Sequence, residues 1–220
     1  MLAAGVRLLD IGCFRVGCEE YAEEHETFGI ATLRNEHVSL RGAELVFEYP
    51  AKGSITRTLT VNDPAVRDAV RSLRRRRAQD DDLLAWKEKN VWINVRAADL
   101  NGYIKDEAGE QFSAKDFRTW SATVYASVVL ARDATSIRSG RSRQRAVTAA
   151  VKEVAEYLGN TPEVCRSSYI DPRVIDRFDA GDTIAAVLAR IGDDADRPEL
   201  ERSVEDAVIE LLGDGTEAAA

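Results

Sequence analysis

The chain has 220 residues, of which 45% are hydrophobic, so it can build a buried core in one large domain or two small ones. No apolar run approaches the roughly 18 residues of a transmembrane helix, and Arg7, Asp10 and Arg15 interrupt the apolar N-terminus, so we expect neither a membrane span nor a signal peptide. The net charge of −8 does not exclude DNA binding, because residues 193–220 hold ten acidic residues and two arginines and the remainder is neutral.

The first part of the chain predicts a helix followed by a small antiparallel sheet. Apolar residues at helical spacing predict a helix over residues 3–24, with Arg15 on it. The last two predicted strands meet at residues 50–54, a glycine-containing hairpin turn with Lys52 at its tip. Strands are indicated by a period of two with β-branched and aromatic residues. Four segments show this pattern: TFGIATL, HVSL, ELVFEY and SITRTLTV.

From Asp63-Pro64, which has the chemistry of a helix start, the chain is predicted to be helical. One helix covers residues 97–109, and a capping-box pattern from Ser113 to Asp116 begins another that runs to about Arg132. We expect the core stripe of that helix to consist of Phe117, Trp120, Val124 and Val128.

The last third of the chain predicts further helices. A stretch rich in Ser, Gly and Arg at 135–143 leads into a helix that stops at Gly159. Thr161-Pro162 begins a short helix that carries Tyr169 and ends at Asp171-Pro172. Two helices, at about 182–190 and 199–212, complete the chain.

These elements predict an α+β fold. We expect one catalytic domain over residues 1–192, with a strand-containing part at about 25–62 and a helical part at 63–192. Residues 193–220 are expected to form an acidic helix and tail.

Charged residues and thiols add a few constraints. The arginine-rich segments 71–77 and 132–145 suit either a DNA-binding face or ordinary solvated helix faces. Cys13, Cys18 and Cys165 lack zinc-site spacing and are interpreted as reduced, mostly buried thiols of a cytosolic protein. His25 and His37 are predicted to be ordinary polar surface residues.

Four side chains are placed poorly for packing and well for binding an anion: Arg15, Lys52, Arg118 and Asn160. Arg118 is expected in the first turn of its helix, near exposed backbone N–H groups. Taken singly, each has an ordinary alternative, since a lysine at a hairpin tip aids solubility and an asparagine after glycine is common in turns. A tyrosine such as Tyr169 is by itself more often a packing residue than a nucleophile.

Taken in order, however, these residues form a pattern. Their order resembles the catalytic domain of type IB DNA topoisomerases in their compact poxvirus and bacterial form. That order is Arg15, Lys52, the segment from Lys115 to Arg118, Asn160 and, nine residues later, Tyr169. The resemblance runs from near residue 12 to about 175. The stretches that carry it are CFRVGCEEYAEEHETFGIATLRNEHV, PAKGS, SAKDFRTW and GNTPEVCRSSYID.

The resemblance implies a role for each residue. Tyr169 would be the nucleophile, Arg15 and Arg118 would clamp the scissile phosphate, and Lys52 would protonate the leaving oxygen. Asn160 would donate a hydrogen bond to a non-bridging oxygen, where many relatives have a histidine. The residues implied to contact the DNA are Tyr21, six positions after Arg15, and Lys115.

The resemblance also implies a substrate and a setting. We expect a monomer that acts on double-stranded DNA in the cytoplasm, associated with the nucleoid of a bacterium. No acidic cluster with metal-ligand spacing is present in the sequence, so we expect a reaction without metal or other cofactor. Members of the family usually carry a separate N-terminal domain that closes around the duplex. This chain starts almost directly at the predicted helix with Arg15, so we expect that domain to be absent and DNA binding to be weak and steeply salt-dependent.

The implied chemistry is physically reasonable. A phenol has a pKa near 10, so only about one part in a thousand is ionised at pH 7 and the phosphate must be activated. Two guanidiniums match the negative charge that builds on the equatorial oxygens, and each should be worth about two orders of magnitude in rate. A phosphotyrosyl bond conserves the energy of the phosphodiester, so resealing needs no ATP.

Two alternatives remain open. A tyrosine recombinase or phage-type integrase uses similar residues, but its middle motif is usually His-x-x-Arg, whereas this chain has Lys115-Asp-Phe-Arg118. The second alternative is a non-catalytic DNA-binding fragment. Relaxation of a plasmid without a specific site would favour the topoisomerase, and the absence of any covalent adduct would favour the fragment.

Overall fold

The computed structural model describes residues 1–53, 55–76, 81–134, 139–191 and 197–213, with the side chains of the last stretch described from residue 202 onward. The chain divides into two compact units, Met1–Arg118 and Thr119–Ala220. The first unit combines helices with small antiparallel sheets and the second is helical where it is described, which confirms the predicted α+β class. Among the described helices, none is long and apolar enough to cross a membrane.

Within its described residues, the first unit has two antiparallel sheets, one of three strands in the order β1-β2-β3 and one of two strands, β4-β5. Its elements are α1 (Leu2–Gly12), α2 (Glu19–His25), β1 (Val38–Arg41), β2 (Glu44–Ala51), β3 (Ile55–Val61), α3 (Pro64–Arg74), β4 (Ala85–Glu88), β5 (Val91–Asn94), α4 (Ala97–Ala108) and the start of α5 (Ala114–Asp133).

Three of the four predicted strands are confirmed as β1, β2 and β3. Leu45, Phe47 and Tyr49 alternate along β2 and are buried, as the period of two requires for a sheet with one face on the core. The register places Tyr49 opposite Arg57 on β3. Ser54, in the predicted turn, lies outside the described residues.

The predicted helix over residues 3–24 is wrong in one respect, because the chain leaves the helical path after Gly12. Cys13 adopts the left-handed conformation with φ of 47°, and α2 does not begin until Glu19. Arg15 therefore lies on the connecting segment and not on a helix. The apolar spacing on which the prediction rested continues across the break because Cys13 and Phe14 are core residues of that segment.

The segment TFGIATL, residues 27–33, was predicted to be a strand and is a turn. Phe28, Ile30 and Leu33 are buried, as expected, but the residues between them are buried as well. Instead of joining a sheet, the turn pairs with the segment after Cys13: Ile30 N–H donates to the Arg15 carbonyl oxygen, at 2.8 Å. This pairing holds the backbone of Arg15 in place.

The β4-β5 hairpin was missed, because the chain after Asp63 was predicted to be helical throughout. Trp86 pairs with Ile93 and Glu88 with Val91, which leaves Lys89 and Asn90 as a two-residue loop. Both loop residues have positive φ, 44° and 69°, as a type I′ hairpin turn requires. The short alternation of aromatic and charged residues around this pair was the available signal.

The core of the first unit forms where the sheet meets α1, α3 and α4. The helix starts that were read from local chemistry are confirmed here: Asp63 accepts a hydrogen bond from the Val66 N–H at 2.9 Å, at the start of α3. Helix α4 ends at Gly109, as predicted. The core side chains with almost no exposed surface include Leu8, Leu9, Phe14, Ile30, Leu33, Leu45, Phe47, Leu73, Leu84 and Leu100.

The second unit consists of the remainder of α5 and the described helices that follow it. These are α6 (Gly140–Leu158), α7 (Pro162–Ser168), α8 (Pro172–Ala180), α9 (Ala185–Ile191) and α10 (Arg197–Gly213). The helix end at Gly159 and the cap at Thr161 are confirmed. Helix α8 was missed, because Asp171-Pro172 was interpreted as a stop, whereas Asp171 caps a new helix by accepting from the Arg173 N–H at 2.9 Å. Residues 135–138, in the predicted Ser, Gly and Arg-rich stretch, lie outside the described residues.

The core stripe predicted for α5 is displaced around the helix. Phe117, Trp120, Val124 and Val128 are all partly exposed. The buried positions of α5 are instead mostly small or moderately sized: Ala122, Thr123, Ala126, Ser127, Val129 and Leu130. Large side chains suggested the packed face, but small ones allow a closer approach of neighbouring backbone.

The remaining sequence predictions on single residues are partly confirmed. Cys13 and Cys165 are buried free thiols and Cys18 is partly exposed, as expected. His25 is exposed, but His37 is buried, and its Nδ1 accepts a hydrogen bond from the Arg34 N–H at 3.0 Å. The prediction that His37 is a surface residue is therefore wrong. Its burial lowers the pKa of the imidazole.

Candidate active site

Arg118 is buried, in contrast to its predicted position among exposed N–H groups. It is the fifth residue of α5 and 3% exposed. Its Nη1 donates a hydrogen bond to the carbonyl oxygen of Cys13. Since Cys13 begins the segment that carries Arg15, the guanidinium of Arg118 contacts the backbone that positions Arg15.

Two arginines of the first unit contact the backbone that leads to Arg15. Arg118 donates to the carbonyl oxygen of Cys13, two residues before Arg15, and Arg57, which the sequence prediction missed, donates to that of Gly12. Near them, the pKa of Tyr49 is raised, chiefly by burial, and the positive charges of Arg57, Arg118 and Arg15 partly oppose that rise.

A signal for Arg57 was present in the strand pattern. A period of two on both strands and a turn centred on Gly53 place residues 49 and 57 opposite each other. An arginine paired with a core tyrosine is unusual on the buried face of a sheet, because a charged side chain there requires polar partners. Arg57 has such a partner, since its Nη2 donates to the carbonyl oxygen of Gly12 at 3.2 Å.

Lys52 lies where it was predicted, at the tip of the β2-β3 hairpin. β2 ends at Ala51, and Gly53 adopts a positive φ of 83° that favours glycine. The Lys52 side chain is exposed. A long cation on a projecting turn can enter a groove of a nucleic acid.

Tyr169 lies in the second unit at the end of α7, where two helices meet. Its N–H donates to the Cys165 carbonyl oxygen at 3.0 Å, and its own carbonyl oxygen lies 3.4 Å from Thr123 Oγ1. Thr123 Oγ1 donates its proton to the Thr119 carbonyl oxygen at 2.8 Å and accepts from the Asp171 N–H at 3.1 Å, so this hydroxyl holds the backbone that follows Tyr169. The side chain of Tyr169 is partly exposed rather than enclosed in the core.

Asn160 is positioned by the end of α6. Gly159 takes the left-handed conformation with φ of 65°, and the Asn160 N–H donates to the Ala155 carbonyl oxygen at 2.9 Å. These bonds satisfy the last carbonyls of the helix in the manner of a glycine C-cap. The side chain of Asn160 is partly exposed, and α7 connects it to Tyr169.

The residues predicted to contact DNA are exposed. Tyr21 lies on α2 with 53% of its surface exposed, and Lys115 is exposed in the first turn of α5. The two arginine-rich segments also contain exposed arginines: Arg71, Arg74 and Arg75 near the end of α3, and Arg141 and Arg145 on α6. Arg77 lies outside the described residues. Their exposure suits contact with phosphates and equally suits solvation.

Gly29 provides a test of how Arg15 is held. A Cβ at Gly29 would lie 2.6 Å from the Arg15 carbonyl oxygen and 2.4 Å from the Gly17 nitrogen, both of which are backbone atoms that cannot move aside freely. We expect Gly29→Ala to lower the free energy of unfolding by roughly 1–3 kcal/mol, as overpacking does. Gly102→Ala is the matched control, because a Cβ there meets nothing within 4 Å and lies in α4, where alanine is favoured by up to about 1 kcal/mol. Denaturant unfolding measures both, and equal stabilities would contradict the tight contact.

Comparison with known proteins agrees with the resemblance seen in the sequence. Residues 1–186 match the family described as eukaryotic DNA topoisomerase I, catalytic core. The DNA topoisomerase 1B of Acanthamoeba polyphaga mimivirus is 29% identical over 166 residues, which cover 71% of this chain and 48% of that protein. The DNA topoisomerase 1B of Vaccinia virus (strain Copenhagen) is 22% identical over 164 residues, covering 74% of this chain and 48% of that protein.

A cellular relative shares a shorter region. The DNA topoisomerase 1 of Schizosaccharomyces pombe is 30% identical over 118 residues, which cover 53% of this chain and 14% of that protein. The chain thus spans about half the length of the viral relatives and a smaller part of the yeast protein. These relatives are viral and eukaryotic, so they do not support the bacterial source that we expected.

Proposed function

Because the chain belongs to the family of the eukaryotic DNA topoisomerase I catalytic core, we propose that it is a type IB DNA topoisomerase that acts on double-stranded DNA. The observation that carries the proposal is that Arg118 donates to the Cys13 carbonyl oxygen, two residues before Arg15, within the region that matches the family. Two guanidiniums from these neighbouring positions match the charge and shape of a single phosphate group.

In the proposed reaction, the phenolic oxygen of Tyr169 attacks the phosphorus of one DNA strand and gives up its proton to solvent. A 3′-phosphotyrosyl bond forms, and the bond between phosphorus and the 5′-oxygen breaks. Lys52 gives a proton to the leaving 5′-oxygen, which would otherwise leave as an unstable alkoxide. The exposed position of Lys52 on its hairpin supports this role, because the side chain must reach into the duplex.

Arg15, Arg118 and Asn160 stabilise the charge that develops on the phosphorus oxygens. Each well-placed donor contributes on the order of 3 kcal/mol to such a transition state. Asn160 donates through a neutral amide, so its contribution is smaller than that of a charged donor. Arg118 is buried, and its bond to the Cys13 carbonyl oxygen fixes its guanidinium beside the segment of Arg15.

Between cleavage and resealing, the cut strand rotates about the intact one and relaxes supercoils. The 5′-hydroxyl then attacks the phosphorus, the bond between phosphorus and the Tyr169 oxygen breaks, and the phosphodiester is restored. The number of phosphoester bonds is unchanged throughout, so no nucleotide is consumed.

The experiment that tests the proposal uses supercoiled plasmid, EDTA and no nucleotide, followed by denaturation with detergent to trap protein on the DNA. We expect relaxed topoisomers and a covalent complex, both of which decrease steeply as salt rises. Activity on paired recognition sites alone would indicate a recombinase. Binding without any adduct would show that the chain is a DNA-binding protein and would overturn the proposal.

A further inference from the structure

The segment that carries Arg15 is held by two guanidiniums at consecutive carbonyl groups. Arg57 Nη2 donates to the Gly12 carbonyl oxygen at 3.2 Å, and Arg118 Nη1 donates to the Cys13 carbonyl oxygen. We propose that Arg57 is a positioning residue that fixes Arg15 for catalysis. This inference rests on the proposed function, in which Arg15 contacts the scissile phosphate and Arg57 does not.

The turn at Gly12 and Cys13 needs such support because its backbone is under constraint. Cys13 has a φ of 47°, which costs a residue with a side chain on the order of 1 kcal/mol or more. A Cβ at Gly12 would lie 2.3 Å from the Phe14 ring, so the backbone approaches that ring as closely as glycine allows. Charge-assisted hydrogen bonds to both carbonyls offset the strain and select this conformation.

Arg57 also connects this turn to the hairpin that carries Lys52. It pairs across the sheet with Tyr49, three residues before Lys52. The ring of Phe14, next to Arg15, stacks on Tyr49 with 5.8 Å between centroids and meets Phe47 edge-on at 5.1 Å. The segment from Gly12 to Arg15 and the base of the hairpin are thus joined by the two ring contacts of Phe14 and by the hydrogen bond from Arg57.

Arg57 has an electrostatic disadvantage that a purely structural residue would avoid. Arg57 and Arg118 donate to the carbonyl oxygens of consecutive residues, Gly12 and Cys13, so their two guanidiniums lie near one another. Like charges at short range repel each other. A bound phosphate relieves this repulsion, which is the reason to connect Arg57 with catalysis as well as with folding.

Single-turnover cleavage at saturating DNA tests the proposal. We expect Arg57→Ala to lower the cleavage rate roughly 10- to 100-fold, the rate equivalent of one charge-assisted hydrogen bond, with little change in DNA affinity. Arg57→Lys keeps the charge and one donor and should recover most of the rate. Arg41→Ala is the matched control, because it removes the same charge from an exposed position on β1 and should change the rate by less than about twofold.

A double-mutant cycle separates positioning from direct contact. If Arg57 acts through Arg15, adding Arg57→Ala to Arg15→Ala should lower the rate by no more than about twofold further. Full additivity of the two effects would overturn the proposal, as would an Arg57→Ala enzyme as active as Arg41→Ala. Thermal unfolding of each variant establishes that the protein is folded.

A measurement without DNA distinguishes failure of this inference from failure of the proposed function. In NMR spectra, the amide signals of Cys13, Phe14 and Arg15 should shift in Arg57→Ala, return towards wild type in Arg57→Lys and stay unchanged in Arg41→Ala. Wild-type protein that forms no adduct would refute the function. Unchanged amide signals in Arg57→Ala would refute the positioning role, whatever the activity.

Discussion

Replacement of Tyr169 by phenylalanine is expected to abolish the covalent complex with DNA while the protein stays folded. The variant lacks the oxygen that we propose attacks phosphorus, and loss of a nucleophile typically lowers the rate by about 10⁴-fold or more. The backbone around Tyr169 is held by Thr123 and by the cap of α8, and the ring is partly exposed, so the substitution leaves these contacts in place. Trapping with detergent on radiolabelled duplex DNA measures the adduct.

Tyr157→Phe is the matched control for this variant. Tyr157 also lies in the second unit, is 43% exposed on α6, and its ring packs against Tyr125 at 5.0 Å between centroids. It loses the same single oxygen and should retain adduct formation. A covalent complex in Tyr169→Phe would show that another residue is the nucleophile.

Arg118→Ala is expected to have the second largest effect, because it removes a proposed phosphate ligand and a structural donor together. The cleavage rate should fall by about two orders of magnitude or more, as for loss of one oxyanion donor. The variant also leaves the Cys13 carbonyl without its bond to Arg118, which should lower the free energy of unfolding by roughly 1–3 kcal/mol. Single-turnover cleavage and denaturant unfolding measure the two effects separately.

Arg118→Lys separates the effect of the positive charge from that of the planar guanidinium. Lysine retains the charge but not the planar fork that binds two oxygens of one phosphate, so activity should stay at least about tenfold below wild type. Lys105→Ala, at an exposed position on α4, is the control for removal of a cation from the same unit. Cleavage by Arg118→Ala at the wild-type rate would remove Arg118 from the proposed site.

The candidate residues were found from sequence to different degrees. The positions of Lys52, Asn160 and Tyr169 follow from short-range chemistry: a glycine-containing turn, a glycine at a helix end and a Thr-Pro helix start. For Arg15 and Arg118, the sequence indicated the residues but not their surroundings. Their roles stay proposals that the variants above test.

The elements of the fold also differ in how far the sequence predicts them. Caps and alternation are encoded within a few residues, so α3, α4, α6 and the strands β1 to β3 could be predicted from the sequence. The sequence also determined the family, through the order and spacing of its charged residues and tyrosine.

Only the tertiary structure decided where the first helix breaks, why residues 27–33 form a turn, and which arginines converge. Each of these depends on partners distant in the chain: Arg118 contacts Cys13 across 105 positions, and Arg57 contacts Gly12 across 45. Local propensity cannot report such contacts, because a left-handed cysteine and a buried guanidinium are unfavourable in isolation. They become stable when carbonyl groups and charged donors from separate segments meet in the same core.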